Sequence, residues 1–294
     1  KKGKEKIKKD YEIFLVDMKK NLKHYLKNKL NAKELELVPT SFDVVGDIMI
    51  FSDFPKELIK KEKLIGETIL KNYHHIKTVL KKTKKYSGKF RTPKLKVIAG
   101  EKKKETIHKE NNVLLKLDVE KVYFSPRMSS ERKRVADLIK PNESILVMFS
   151  GSGVYCLVIA KNTKCKEVYG IEINPRAHKY ALENIKKNKL ENKIKSFLGD
   201  VRRMMPKIDK KFDRILMPLP KGGEDFLDLA LRHIKNKGIV HFYDFEHENE
   251  FYKAEEKAKK ACIKLKKQFK ILKTMKCGQY SPGFYRVCVD FEVY

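Results

Sequence analysis

Three observations predict an α/β fold in which a mostly parallel sheet follows a smaller α/β unit. From about residue 130 to the end, apolar runs alternate with amphipathic stretches of helical period. One such run, residues 145–149, enters a tight glycine turn, Gly151-Ser-Gly153, and the next, residues 168–171, ends in an acid, Glu172. The last two runs, roughly 271–276 and 284–293, have no helix between them. Regular strand–helix alternation implies parallel strands with helices on both faces. Two closing strands in succession imply that one is inserted antiparallel.

The elements follow in order. Residues 1–31 carry Ile7, Tyr11, Phe14, Met18, Leu22, Leu26 and Leu30 at a spacing of three or four, with lysines in most of the gaps. This is the pattern of a basic amphipathic helix packed on the domain, its lysine face open to phosphates. No helix breaker follows until Pro39, so residues 1–38 read as a basic helical extension. Residues 39–116 read as a small α/β domain. It has a strand over 41–51 with a turn or bulge at Gly46, a helix over 65–82, and strands over 95–99 and 113–119. Residues 81–91 mix cations with Tyr86 and Phe90, the composition of an RNA-contact loop or of a solvated one. Residues 117–294 form the main domain. A helix spans 175–189 and a short strand ends at Leu198-Gly199-Asp200. A strand over 212–217 runs into Pro218-Leu-Pro-Lys221, and a helix over 224–235 leads to a strand over 238–244. A Lys/Glu-rich helix over 248–269 precedes the closing strands.

The chain has 294 residues, with 68 Lys and Arg against 38 Asp and Glu, a formal net charge of +30. Such an excess favours a polyanionic partner through counterion release and steering. The five cysteines are scattered, with no C-x-x-C pair, and none of the eight histidines falls in H-E-x-x-H. That argues against a disulfide framework or a metal site and for reduced thiols in the cytoplasm. No apolar run reaches membrane-spanning length, so no membrane role is expected.

Ligands of open α/β sheets bind beyond the C-terminal ends of the strands. Here those ends carry Phe149, Gly151 and Gly153, then Glu172, Asp200 and Pro218-Leu219-Pro220-Lys221. Nineteen residues separate Gly153 from Glu172, near the spacing of about 20 that puts an acid on a ribose. Cys156 takes the third glycine position of the dinucleotide fingerprint, which disfavours a pyrophosphate. S-adenosylmethionine has no phosphate and fits the looser turn. Glu172 then suits the ribose, and Asp200 suits the adenine amino group or caps a helix. The prolines of 218–220 set a rigid backbone whose carbonyls can hold a planar amine, or they only end a strand. Upstream, Arg127 follows a proline and can face guanine O6 and N7 or stabilise charge on an alkylated base. Arg132, Lys133 and Arg134 are phosphate contacts or a solvated helix face.

Taken together, Ser41-Phe-Asp-Val-Val-Gly-Asp47, Gly88-Lys-Phe-Arg-Thr-Pro93, Thr106-Ile-His-Lys-Glu110, Tyr123-Phe-Ser-Pro-Arg127 with Glu131-Arg132, Phe149-Ser-Gly-Ser-Gly153 and Pro218-Leu-Pro-Lys221 resemble the archaeal and eukaryotic tRNA (guanine-37-N1)-methyltransferases. The resemblance runs from about residue 41 to the C-terminus. It implies a Rossmann-like class I methyltransferase sheet, S-adenosylmethionine as donor and the tRNA anticodon loop as target, with a monomer expected. It also implies catalysis by Arg127, donor binding by Glu172 and Asp200, and substrate contacts around Pro218, Leu219, Pro220, Lys221 and Arg132. Some archaeal members also methylate a later tricyclic form of the same nucleotide. The chain departs from the family in two places. Val147 stands where an Asp precedes the motif phenylalanine, and Pro218 stands where an Asn would position the guanine. Many members carry a separate N-terminal RNA-binding domain; here only a short basic helix is expected, so charge contacts are expected to matter more. A sister family of wybutosine-pathway aminocarboxypropyltransferases uses the same donor but lacks the Ser-Pro-Arg arginine and the Leu-Pro-Lys segment, both kept here. A non-catalytic RNA-binding homologue is the reading that Val147 and Pro218 favour.

Overall fold

Strand order is the property that alternation along a chain leaves open, and it decides where a ligand can sit. The computed structural model describes residues 21–294, apart from the side chains of residues 85–87. Within it the chain divides into two units, one made of residues through Ile107 together with Asp118–Glu120, the other of His108–Leu117 and Lys121–Tyr294. The boundaries expected at 38/39 and 116/117 therefore move. Leu22, Leu26 and Leu30 pack into one core with Phe42, Phe51, Ile65 and Val79, so the described part of the basic segment is no separate extension. Residues 1–20 of the expected helix lie outside the described residues.

In the first unit a short helix α1 (Ala32–Glu36) precedes β1 (Phe42–Val45) and β2 (Ile48–Phe51). These two are an antiparallel pair joined at Gly46-Asp47, so of the turn or bulge expected at Gly46 the structure has the turn. Helix α2 (Glu62–Asn72) comes next, then β3 (Thr78–Ser87) and β4 (Thr92–Gly100), in the sheet order β1-β2-β3-β4. The helix expected over 65–82 is thus a helix through Asn72, a turn, and a strand from Thr78. It stops at Tyr73 (φ −129°), and Thr78 to Lys81 pair in parallel with Ile48 to Phe51. The cationic loop expected over 81–91 is mostly strand as well. Lys81 is buried, 2.5 Å from Glu62 and over the Phe54 ring, and only the turn around Gly88 leaves the sheet.

β5 (Glu105–Glu110) and β6 (Val113–Asp118) form a two-stranded sheet at the change of unit. The second unit then runs α3 (Ser129–Asp137), β7 (Ser144–Met148), α4 (Val154–Asn162), β8 (Glu167–Glu172), α5 (Pro175–Lys187), β9 (Ile194–Leu198), α6 (Val201–Met204) and β10 (Phe212–Met217). It closes with α7 (Leu227–His233), β11 (Ile234–His247), α8 (Tyr252–Lys264), β12 (Phe269–Ser281) and β13 (Phe284–Val293). The sheet order is β12-β13-β11-β10-β7-β8-β9. The central pairs are parallel, and β13 lies antiparallel between β11 and β12, as the missing helix required. The last strands are longer and their helices shorter than the periodicity suggested, because β11 and β13 stay paired from Gly238 to His247. The core lies between this sheet and its helices, with Leu146, Ile171, Ile215, Phe242 and Phe291 fully buried. The order reverses between β7 and β10, and an open sheet binds its ligand at such a switch point. Among the described residues no helix is long and apolar enough to cross a membrane.

Candidate active site

At the C-terminal end of β7 the chain turns back on itself through three residues with positive φ: Phe149 (58°), Gly151 (58°) and Gly153 (84°). A Cβ on Gly153 would stand 3.3 Å from the Cβ of Ala181, so both its φ and its packing on α5 call for glycine. Phe149 tolerates no such conformation cheaply. A bulky residue held there costs on the order of 1–3 kcal/mol, and such strain gathers at functional sites. Its ring packs edge-on against Phe226 at 5.0 Å. Asn184, fully buried on α5, donates to the Ser152 carbonyl and both accepts from and donates to the Lys116 backbone, which pins the loop to β6.

Glu172 sits at the tip of β8, beside this loop. Its carboxylate accepts the Gly151 N–H and the Asn174 N–H, each at 2.7 Å. Burial pushes its pKa up, opposed by those backbone donors, and the net shift is upward. A carboxylate has about four acceptor sites, so it can still accept from a bound hydroxyl. Asp200 caps α6, accepting the Arg202 N–H at 2.8 Å, and stays half exposed. Arg202 lies over the Phe226 ring at 3.9 Å. Cys156, at the missing third glycine, is buried and its thiol is pushed up to about 12 by desolvation, so it remains a thiol and a packing group.

These elements frame a cleft. Phe149, Ser150, Gly151 and Ser152 form one side, Pro218 another, and Tyr123, Phe124, Ser125 and Met128 a third. Of the residues expected from sequence, Phe149, Gly151, Pro218 and Arg132 line it. Glu172 reaches it through Gly151, and Gly153 starts α4 with no side chain capping the helix N-terminus. Arg127 is exposed in a single 3-10 turn, Pro126–Met128, flanked by the wall residues Ser125 and Met128. Leu219, Pro220 and Lys221 continue away from Pro218, with Lys221 at the surface and Pro220 buried. Val147 is fully buried within β7, paired with Leu216 and Gly170, and supplies no polar group to the cleft.

Arg132 to Arg134 need correction as phosphate contacts or a solvated face. Arg132 is buried and forms a two-pronged pair with Glu110, both bonds 2.6 Å, and donates to the Ser125 carbonyl at 3.1 Å. Arg134 is paired with Glu131 and Asp290, and Lys133 with Asp137. Arg132 is therefore a brace for the turn that carries Arg127. Sequence reading missed Tyr155, Tyr243 and Arg286 altogether. Tyr155 donates to the Tyr243 hydroxyl at 3.1 Å and Tyr243 to Glu131 at 2.7 Å, while Arg286 donates to the Tyr123 hydroxyl at 2.8 Å. No local pattern marks them, since each acquires its partner across the sheet. Behind them His241, Cys288 and Asp290 lie within 4.8 Å of one another. Arg134 and Arg214 already donate to Asp290 and His241, and two guanidiniums oppose a metal cation there.

The donor expected from sequence fits this cleft. The Ser150 and Ser152 hydroxyls are buried in its wall with no hydrogen-bond partner among the described residues, and the N-terminus of α4 adds free N–H groups. Both suit the charged amino-acid end of S-adenosylmethionine, and Glu172 and Asp200 stand at the two neighbouring strand ends.

Sheet order and cleft define a class I methyltransferase that uses S-adenosylmethionine. Residues 106–272 match the TRM5/TYW2 methyltransferase domain, and residues 22–103 match the TYW2 N-terminal domain. The chain belongs to the TRM5/TYW2 methyltransferase family. It is 40% identical over 257 residues to the tRNA (guanine(37)-N(1))-methyltransferase Trm5b of Pyrococcus abyssi, covering 87% of this chain and 76% of that protein. It is 36% identical over 251 residues to the tRNA(Phe) (4-demethylwyosine(37)-C(7)) aminocarboxypropyltransferase of Methanocaldococcus jannaschii, covering 85% and 96%. The complex structure of aTrm5 and tRNALeu superposes with a TM-score of 0.81 at 34% identity, over 92% of this chain and 76% of that one.

Proposed function

We propose that this chain transfers the methyl group of S-adenosylmethionine to N1 of guanosine 37 in tRNA, acting as a cytoplasmic monomer on the anticodon loop. The observation that carries this reading is the Ser125-Pro126-Arg127 turn, braced by the buried Arg132 against the cleft of the glycine loop. The donor, when bound, supplies an electrophilic methyl group. As N1 takes the methyl group, the donor's S–CH3 bond breaks with its electron pair kept by sulfur. The N1 proton passes to solvent, and negative charge gathers on O6 as it leaves. The Arg127 guanidinium offers a flat pair of donors to that oxygen. Pro218 and the wall around Tyr123 bound the base. Likeness to Trm5b of Pyrococcus abyssi supports the choice of base and position. Nucleoside mass spectrometry of a tRNA transcript incubated with the protein and donor tests it. N1-methylguanosine at position 37 is the expected product, and an unmodified transcript overturns the reading.

Aminocarboxypropyl transfer is the second reading. It is favoured by the match of residues 22–103 to the TYW2 N-terminal domain. The same mass spectrum separates the two, since the transferred groups differ in mass.

Two further results are expected. Glu172→Ala removes an acceptor for the donor's ribose, so donor affinity falls by on the order of 1–3 kcal/mol in calorimetry. Unchanged affinity in both Glu172→Ala and Asp200→Ala would remove these residues from the donor site. The charge of +30 predicts tRNA affinity that falls with salt at a log–log slope steeper than about −3, reflecting several neutralised phosphates. A flat dependence would leave the lysines as solubility groups only.

A further inference from the structure

The second unit has an aromatic face that runs outward from the cleft. Alternate residues of a strand point to the same side, so Tyr243, Phe245 and His247 of β11 share a face. Opposite them in register on β13 stand Cys288, Arg286 and Phe284. Tyr280 of β12 lies against Phe245 with ring centroids 4.2 Å apart and planes 33° from parallel. The Arg286 guanidinium is 5.3 Å from the Phe245 ring, and His247 meets Phe284 edge-on at 5.4 Å. Tyr280 is 65% exposed and Phe284 45%. A Cβ built on Gly278, opposite Arg286, would meet no atom within 4 Å, so the face there is open.

We propose that this strip is a stacking platform for the RNA base next to the nucleotide being modified. The proposal rests on tRNA as substrate. Three observations select this occupant. The strip is continuous with the cleft, because Tyr243 and Arg286 line both. Its charge complements a nucleic acid: Arg286 lies within it, exposed Lys273 and Lys276 lie on the same hairpin, and the acids Asp244 and Glu246 alternate to the other side of β11, where both pair with Lys257. Its chemistry is that of single-strand recognition, in which bases stack on aromatic rings and guanidinium planes. Arg286 also keeps one donor in hand, since its Nε is buried with no hydrogen-bond partner among the described residues. An apolar peptide or a lipid surface would need neither that donor nor a cation beside the rings.

The test uses the full chain and measures tRNA affinity directly, by fluorescence anisotropy, so it does not depend on which group is transferred. Three transcripts are compared: intact, abasic one nucleotide 5′ of the target, and abasic one nucleotide 3′ of it. Tyr280→Ala changes an exposed side chain, and Tyr280→Phe keeps the ring. Tyr280→Ala is expected to weaken binding of the intact transcript roughly tenfold, with Tyr280→Phe close to wild type. On one of the two abasic transcripts that loss should disappear, because the stacked base is already gone. An equal loss on all three transcripts, or none on the intact one, overturns the platform. A wild-type protein that binds the intact transcript but leaves position 37 unmodified contradicts the proposed function and leaves the stacking result to stand or fall by itself.

Discussion

Single-turnover methylation of tRNA by Arg127→Ala is expected to run roughly a hundredfold or more below wild type, with tRNA affinity little changed. Arg127 lies exposed in the 3-10 turn between two residues of the cleft wall, and the proposed reaction sets its guanidinium against the edge of the guanine. Removing one donor to a developing oxyanion costs about 3–4 kcal/mol in comparable sites, which sets the size of the effect. Arg127→Lys should recover only part of the rate, because an ammonium cannot present two coplanar donors. A large fall in tRNA affinity with an unchanged single-turnover rate would instead make Arg127 a phosphate contact.

Breaking the Glu110–Arg132 pair should have the largest effect on stability. Each charge is buried, and removing one leaves the other unpaired at a cost of about 3–5 kcal/mol. Glu110→Ala and Arg132→Ala should each lower the urea midpoint sharply. Replacing both by apolar residues, as in Glu110→Leu with Arg132→Met, should regain most of the stability, because no lone charge remains. It should not regain the methylation rate, since the Ser125 carbonyl still lacks its donor and the Arg127 turn loses its brace. A double variant with full activity would show that the pair serves packing alone. Burial alone would raise the Glu110 pKa, but the Arg132 charge and the bonds from Arg132 and His108 outweigh it and hold the pKa at about 2. A depressed carboxyl pKa stabilises the fold fully above the ordinary value of 4.5, and that share is lost as pH falls towards about 2. Wild type should therefore lose stability over that window more steeply than the double variant, as read by urea titrations at each pH.

How much of this was legible in the sequence depended on how local each feature was. The glycine turn, Glu172 and Asp200 were readable because a strand end, a turn and a helix start are set by a few neighbouring residues. The antiparallel β13 was readable because two strands with no helix between them cannot both join a parallel sheet. The region 65–82 was misread because its apolar residues suit either a helix face or a buried strand. Pairing of Thr78 to Lys81 with β2, some thirty residues earlier in the chain, settled it.

The sequence alone determined the class of sheet, the glycine turn at the end of its first strand and the cationic character of the chain. These follow from hydrophobic period, from glycine's access to positive φ and from a count of charges. Only the tertiary structure decided which cations are free to meet a ligand. Arg132 is taken by Glu110, 22 residues away, Arg134 by Asp290, 156 residues away, and Arg286 is drawn to Tyr123 across 163 residues. A charge leaves water only where a partner replaces its hydration, and the partner's position is a property of the folded chain.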